Sequence, residues 1–183
     1  QQPENGYILP YYDSPMGQEH VSNELLVELL SSATGYAWFY TPYLMLGDAL
    51  YDAFMRAAKR GVDVRIIMPG IPDKKAVYRL TRSYYAGLVN QGVRIYEYSP
   101  GFCHAKQCVC DGKIASVGTS NLDYRSLYLH FENNVLLCGT HAVVQMEQDF
   151  KETFTLCREV TGAYRSRMLR IWQCILRLFA PLL

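Results

Sequence analysis

The chain has 183 residues, half of them apolar, with 18 basic and 17 acidic side chains and a formal net charge of +1. That length supplies one sizeable core. The near balance of charge argues against a nucleic-acid partner, which needs a positive field around the reacting groups. The small excess is also misplaced for one, since residues 158–183 carry five arginines and one glutamate while residues 1–157 carry thirteen basic and sixteen acidic side chains.

In chain order, Tyr7 to Tyr11 reads as a strand, and Val21 to Ser32 as a helix in which Val21, Leu25, Leu26, Leu29 and Leu30 recur at helical spacing. Tyr36 to Tyr40 is a second strand. Asp48 stands where it can cap a helix from Ala49 to Arg60, which Gly61 ends. Val62 to Met68 is a buried strand, and Pro69 to Asp73 a tight loop at its end, suited to the rim of a site. A helix from Lys75 to Gln91, closed by Gly92, leads to a strand at Val93 to Tyr98. Ala105 to Cys110 and Lys113 to Val117 read as paired strands joined by Asp111-Gly112, a hairpin signal. Phe131 to Cys138 is a further buried strand, and Ala142 to Arg158 a helix. This alternation predicts an α/β fold, a mixed β-sheet flanked by helices on both faces.

The domain reading is one catalytic unit over residues 1–160 and a basic amphipathic helix over residues 161–183. In that tail Ser166, Arg170, Gln173 and Arg177 form one helical stripe, apolar residues cover the rest, and Pro181 stops it. Such a helix fits either docking on its own domain or lying on a membrane surface with its arginines on anionic headgroups. The six cysteines, at positions 103, 108, 110, 138, 157 and 174, include no C-x2-C pair and fall in predicted strands or helices, so they read as buried free thiols. The fifteen tyrosines read as core and rim packing. No secretory signal and no apolar run long enough to span a bilayer is present.

The chemistry concentrates in His104-Ala-Lys106-Gln-Cys-Val-Cys-Asp111-Gly112, followed by Gly118-Thr119-Ser120-Asn121 and then Glu132. On the predicted strand His104 and Lys106 are two residues apart and share a face. The return strand then delivers residues 118–121 beside them. Lys106 offers an ammonium, Thr119 a hydroxyl and Asn121 an amide to the oxygens of a phosphate, and Gly118 permits close approach of backbone to ligand. Glu132, in an apolar strand, needs a partner. An imidazole is suited to the part, because a carboxylate on one ring nitrogen leaves the other free to attack phosphorus or carry a proton.

The pattern H-x-K-x4-D-G with the following G-T-S-N resembles the phospholipase D superfamily, and the surrounding text is similar to the C-terminal catalytic half of bacterial cardiolipin synthases. That likeness runs through Tyr40-Thr-Pro-Tyr43, Ala57 to Gly70, Arg82 to Tyr85, Gly92 to Tyr98, Pro100 to Lys106, Ala115 to Gly118 and Asn121 to Ser126. The resemblance implies His104 as phosphohistidine nucleophile or general acid, Lys106 and Asn121 on the phosphate with Thr119 in the serine-or-threonine position, and Glu132 holding His104. It implies that Asp111 is turned away from the phosphate and supports the strand pair.

The resemblance further implies transfer of a phosphatidyl group between two phosphatidylglycerol molecules without metal or organic cofactor, at the cytosolic face of a bacterial membrane. Family members use two such motifs, in one chain or across a homodimer. This chain has one, because His20, His130 and His141 lack the lysine two residues on. The expected partners are therefore phosphatidylglycerol, the membrane surface, and a second H-x-K half from a longer parent chain or a homodimer mate. Beginning at Gln1-Gln-Pro, the chain reads as an excised half. The competing readings are a hydrolytic phospholipase D or nuclease acting as a homodimer, and a degenerate lipid-binding half, which the intact motif argues against.

Overall fold

The computed structural model describes residues 6–164. Its strands are β1 (Tyr7–Asp13), β2 (Tyr36–Tyr40), β3 (Leu44–Met45), β4 (Asp63–Pro69), β5 (Arg94–Tyr98), β6 (Gln107–Cys110), β7 (Ile114–Gly118), β8 (Leu122–Asp123), β9 (Glu132–Cys138) and β10 (Cys157–Glu159). The helices are α1 (Val21–Ser32), α2 (Asp48–Lys59), α3 (Lys75–Val89), α4 (Tyr124–Tyr128) and α5 (His141–Leu156), and a 3-10 turn at Thr161–Tyr164 closes the described chain. Eight strands form one mixed sheet in the order β1-β9-β7-β6-β2-β4-β5-β10. Within it β2, β4 and β5 run parallel and every other neighbouring pair is antiparallel.

The central strands read as nearly continuous apolar runs because helices cover both faces. Ala37, Phe39, Ile66 and Ile95 pack with Leu30, Phe54 and Leu88 of α1 to α3. Trp38, Tyr40, Ile67 and Tyr96, the alternate residues, pack with Val143 and Phe150 of α5. Period-two alternation thus divides one strand's side chains between two cores. The predicted mixed sheet with helices on both faces is the observed architecture.

Several boundaries differ from the sequence reading. The first strand of the hairpin starts at Gln107, so His104 and Lys106 lie in the segment that leads into β6, not on one face of it. Gly47 occupies the N-cap of α2, and Asp48 is its first residue, where a carboxylate favours the positive helix end without capping it. Helix α5 stops at Leu156, and residues 157–159 form β10, held on β5 by Arg94 and Tyr96 bonding the Glu159 carboxylate. The short β3, β8 and α4 carry too few residues for a period to show. The Thr161–Tyr164 turn packs on β5 and α3, with Thr161 accepting from the Ile95 amide and Tyr164 against Tyr85. Most of the predicted tail helix, residues 165–183, lies outside the described residues.

Asp111 shows why the β6–β7 turn holds its place. It adopts φ +51°, a left-handed conformation that aspartate tolerates in turns. Its carboxylate accepts from the Thr34, Gly35 and Tyr36 amides at 2.7–2.8 Å and from Thr34 Oγ1 at 2.9 Å. Burial would raise its pKa, and these bonds more than offset that, leaving the carboxyl below its ordinary value. The turn is thereby tied to the start of β2, at the opposite end of β6 from the segment that carries the motif's histidine.

Asp111→Ala is expected to cost about 2 kcal/mol, the scale for hydrogen bonds to a charged group, and to lower Tm by about 4–8 °C. Glu159 is depressed as well, to about 2, mainly by its bonds from Arg94. Both groups bind protons more tightly unfolded, so their stabilisation is complete above the ordinary carboxylate range and is lost as pH falls through each lowered folded-state pKa, about 2 for Glu159. Thermal melts from pH 7 to pH 2 should show that decline in the wild type and a smaller one in the Asp111→Ala variant.

Candidate active site

The parallel strands β2 and β4 end at one edge of the sheet, and the antiparallel β6 begins there, so the loops that follow the first two meet the segment that feeds the third. Ligands bind at that carboxyl edge in open α/β sheets. In the antiparallel β2–β6 pair Tyr40 faces Gln107, so the loop after β2 starts beside the segment that carries His104 and Lys106. In the parallel β3–β8 pair Leu44 faces Leu122, which sets Tyr43 beside Asn121. Buried Thr41 ties the same loops, since its hydroxyl donates to the Tyr43 carbonyl and accepts from the Leu122 amide.

His104 is exposed and stacks on Phe102, with ring centroids 5.6 Å apart. Lys106 is half-buried, and its Nζ donates to the His104 carbonyl at 2.7 Å. The Gly118 amide donates to the Lys106 carbonyl, carrying the β6–β7 ladder one step past β6. Burial and the Lys106 charge lower the His104 pKa, opposed by the Asp73 carboxylate. The imidazole is therefore neutral at neutral pH, the state in which nitrogen is nucleophilic. Burial also lowers the Lys106 pKa, and the carboxylates of Glu132 and Asp123 pull it back up.

Asn121 Nδ2 bonds Ser126 Oγ at 3.0 Å, and its Oδ1 is buried without a partner. A hydroxyl donates as readily as it accepts, so the flipped amide keeps the Ser126 bond and turns its NH2 to the unpartnered side. Ser126 is fixed in turn by Asp123, which caps α4 by accepting from the Ser126 amide at 2.8 Å.

Thr119 and Glu132 take places other than those expected of them. Thr119 Oγ1 donates to Glu132 Oε2 and accepts from the Asn133 amide at 2.9 Å, so its hydroxyl is engaged by β9 and not free for a phosphate. Glu132 is buried, with His130 Nδ1 at 3.7 Å from its Oε1. The carboxylate that His104 senses is Asp73, and Glu132 acts instead on Lys106. Gly118 also differs from its expected role. A Cβ there would collide with Asn134 Oδ1 and the Asn133 carbonyl, so the glycine admits the neighbouring strand and not a ligand.

The Asn134 side chain belongs to a buried polar network that the sequence reading missed. Asn134 Nδ2 donates to Ser120 Oγ at 2.8 Å and Ser22 Oγ at 3.0 Å, while its Oδ1 accepts from the Ser120 amide. Ser22 donates its hydroxyl and its amide to the Asp13 carboxylate. Beside them a cavity of about 30 Å³, lined in part by Tyr11, Ser116 and Lys106, has room for about one or two waters. A polar pair, Asn133-Asn134, inside an otherwise apolar strand was the available signal. The described cysteines are free, and burial pushes the Cys108 thiol up to about 12. Cys174 lies outside the described residues.

On the rim, Tyr43 donates its hydroxyl to Asp73 Oδ2, and the Lys74 amide donates to Asp73 Oδ1 at 2.7 Å. Burial and the Asp73 charge push the Tyr43 phenol up to about 12, so it remains a donor.

A family described as "Cardiolipin synthase, PLD-like domain" matches residues 26–154. An uncharacterised protein of Streptococcus mutans is 44% identical over 182 residues, 98% of this chain and 40% of that protein. Cardiolipin synthase 2 of Bacillus cereus is 40% identical over 162 residues, 87% of this chain and 32% of that protein. The chain thus spans well under half the length of these relatives. Among solved structures, the phospholipase D family member Nuc from Salmonella typhimurium superposes with a TM-score of 0.70 at 19% identity, over 84% of this chain and 97% of its own, a likeness of fold.

The His104 imidazole is expected to titrate below its ordinary pKa near 6.5. Lys106→Met should move the midpoint up by removing a like charge, and Asp73→Asn should move it down by removing an opposite one. Imidazole NMR across pH 4–9 reads all three values, and a wild-type midpoint above 6.5 would contradict the described surroundings of the ring.

Proposed function

The chain belongs to the family of cardiolipin synthase, phospholipase D-like domains, and from that premise we propose that it is one half of a phosphatidyltransferase that joins two phosphatidylglycerol molecules into cardiolipin and glycerol. The observation that carries this reading is the convergence of a neutral imidazole, an ammonium and an underused amide at one sheet edge, on His104, Lys106 and Asn121. These groups suit an anionic phosphodiester whose charge grows at the equatorial oxygens during displacement.

Two in-line displacements account for the transfer. One histidine nitrogen attacks phosphorus and the bond to the leaving glycerol oxygen breaks, that oxygen taking a proton from a second imidazole. The acceptor hydroxyl then gives its proton to the second imidazole as its oxygen bonds to phosphorus and the phosphorus–nitrogen bond breaks. Lys106 and Asn121 stabilise the charge in both steps. His104 supplies one imidazole, and its lowered pKa favours the attacking role. The second comes from a homodimer mate or from the part of a longer chain that the relatives' length leaves room for. Glu132, aimed at Lys106 and His130 and not at His104, has an oxygen to offer that second ring.

The proposed site of action is the cytosolic face of a bacterial membrane. Among the described residues no helix is long and apolar enough to cross a membrane. Anionic phosphatidylglycerol at that surface is the proposed lipid partner.

The test is product analysis with phosphatidylglycerol vesicles, using this chain together with its second H-x-K unit. Cardiolipin and glycerol are expected in equal amounts, without loss of rate on chelation. His104→Ala should remove nearly all turnover, and Lys106→Ala or Asn121→Ala should lower it by about 10²-fold each. Phosphatidic acid as the main product would make the protein a hydrolase, and full turnover by His104→Ala would remove the histidine from the mechanism.

A further inference from the structure

The transfer reading leaves unexplained how the site prefers a glycerol hydroxyl to water or to any other alcohol. The rim holds a candidate. Asp73 is exposed in the loop after β4, and its carboxylate is fixed at both oxygens, by Tyr43 and by the Lys74 amide. Each oxygen accepts one described bond, and a carboxylate has about four acceptor positions in all, so each keeps a lone pair for another donor. Tyr43 is itself held in place. It precedes Leu44, whose β3–β8 pairing with Leu122 sets it beside Asn121, Thr41 holds its carbonyl, and the Asp73 carboxylate is near enough to act on the His104 ring. The pair therefore flanks the phosphate seat and does not belong to it.

From this placement we infer that Asp73, oriented by Tyr43, is a headgroup subsite that binds the adjacent hydroxyls of a glycerol moiety while one of them meets the phosphorus held at His104. The ligand class is a small polyol presented as an alcohol on a lipid headgroup. A negative carboxylate suits this ligand because hydroxyls donate and an anion only accepts. It also opposes a second phosphate at that spot, which directs the polyol end of the acceptor and not its phosphodiester toward the subsite. Asp73 binds without taking part in the bond changes, and the inference rests on the transferase reading above.

The experiment uses the active protein with phosphatidylglycerol as donor and compares added glycerol with 1-propanol as acceptors, at a pH on the plateau for His104. Wild type should favour glycerol over 1-propanol. Asp73→Asn should lower transfer to glycerol by about tenfold, the scale for a lost charged hydrogen bond, while transfer to 1-propanol and hydrolysis hold steady. Tyr43→Phe should show the same selectivity change in smaller degree, because it frees the carboxylate to turn. Thermal melts of both variants should match wild type, as the Asp73 side chain is on the surface. Equal loss for glycerol, 1-propanol and water would make the pair a support for the loop and overturn the subsite. Transfer by the wild type with no preference for glycerol would overturn the subsite alone, whereas no transfer to any alcohol would overturn the transferase reading and the subsite with it.

Discussion

The site depends on one tight approach, Gly118 of β7 against Asn134 of β9. Because no Cβ intervenes, the Asn134 amide reaches past β7 and bonds both the backbone and the side chain of Ser120. Its second donor bond goes to Ser22 in the first turn of α1, which is in turn held by Asp13 at the end of β1. Four elements distant in sequence are fixed together behind residues 119–121. Every member of that buried set has a partner, the condition under which a polar core network is rigid and not a liability. Asp13 is at the positive end of α1, whose N-cap residue, His20, makes no side-chain capping bond, so the carboxylate takes up that end's unmet amide as well.

On this frame the charges are arranged around Lys106 more than around His104. Glu132 and Asp123 act on the ammonium from β9 and from the start of α4, while Thr119 and Ser126 engage those carboxylates from the other side. A half-buried cation in such company stays charged without a direct ion pair, which leaves it able to meet an incoming anion. His104, by contrast, is exposed, neutral and next to an aromatic ring. Binding and reaction are thus divided between a deep cation and a shallow nucleophile two residues apart.

Much of this is legible in the sequence, and the failures have physical reasons. The long helices and the central strands announce themselves through apolar periods, and Asp111-Gly112 marks its turn. The spacing of His104 and Lys106 makes them neighbours but puts them on the wrong support, because two residues serve an extended lead-in segment as well as a strand. A buried carboxylate demands a partner, which points Glu132 at His104, yet spacing alone does not say which partner it takes. Thr119 and His130 are closer along the folded chain. The contributions of Asp13 and Ser22 rest on strand pairings across more than a hundred residues, and no local pattern carries those. Tyr43 and Asp73 fall within stretches that stand out for their likeness and as a rim loop, but only the hydrogen bond between them in the fold shows that they meet.

The central claim is that Lys106, Asn121 and His104 form one phosphate seat. A crystal structure of the protein soaked with tungstate, with the anion located by its anomalous signal, tests it most directly. The anion is expected on Lys106 Nζ and the Asn121 amide, within reach of a His104 ring nitrogen. An anion bound elsewhere, or an empty seat with Lys106 still on the His104 carbonyl at saturating tungstate, would contradict that claim.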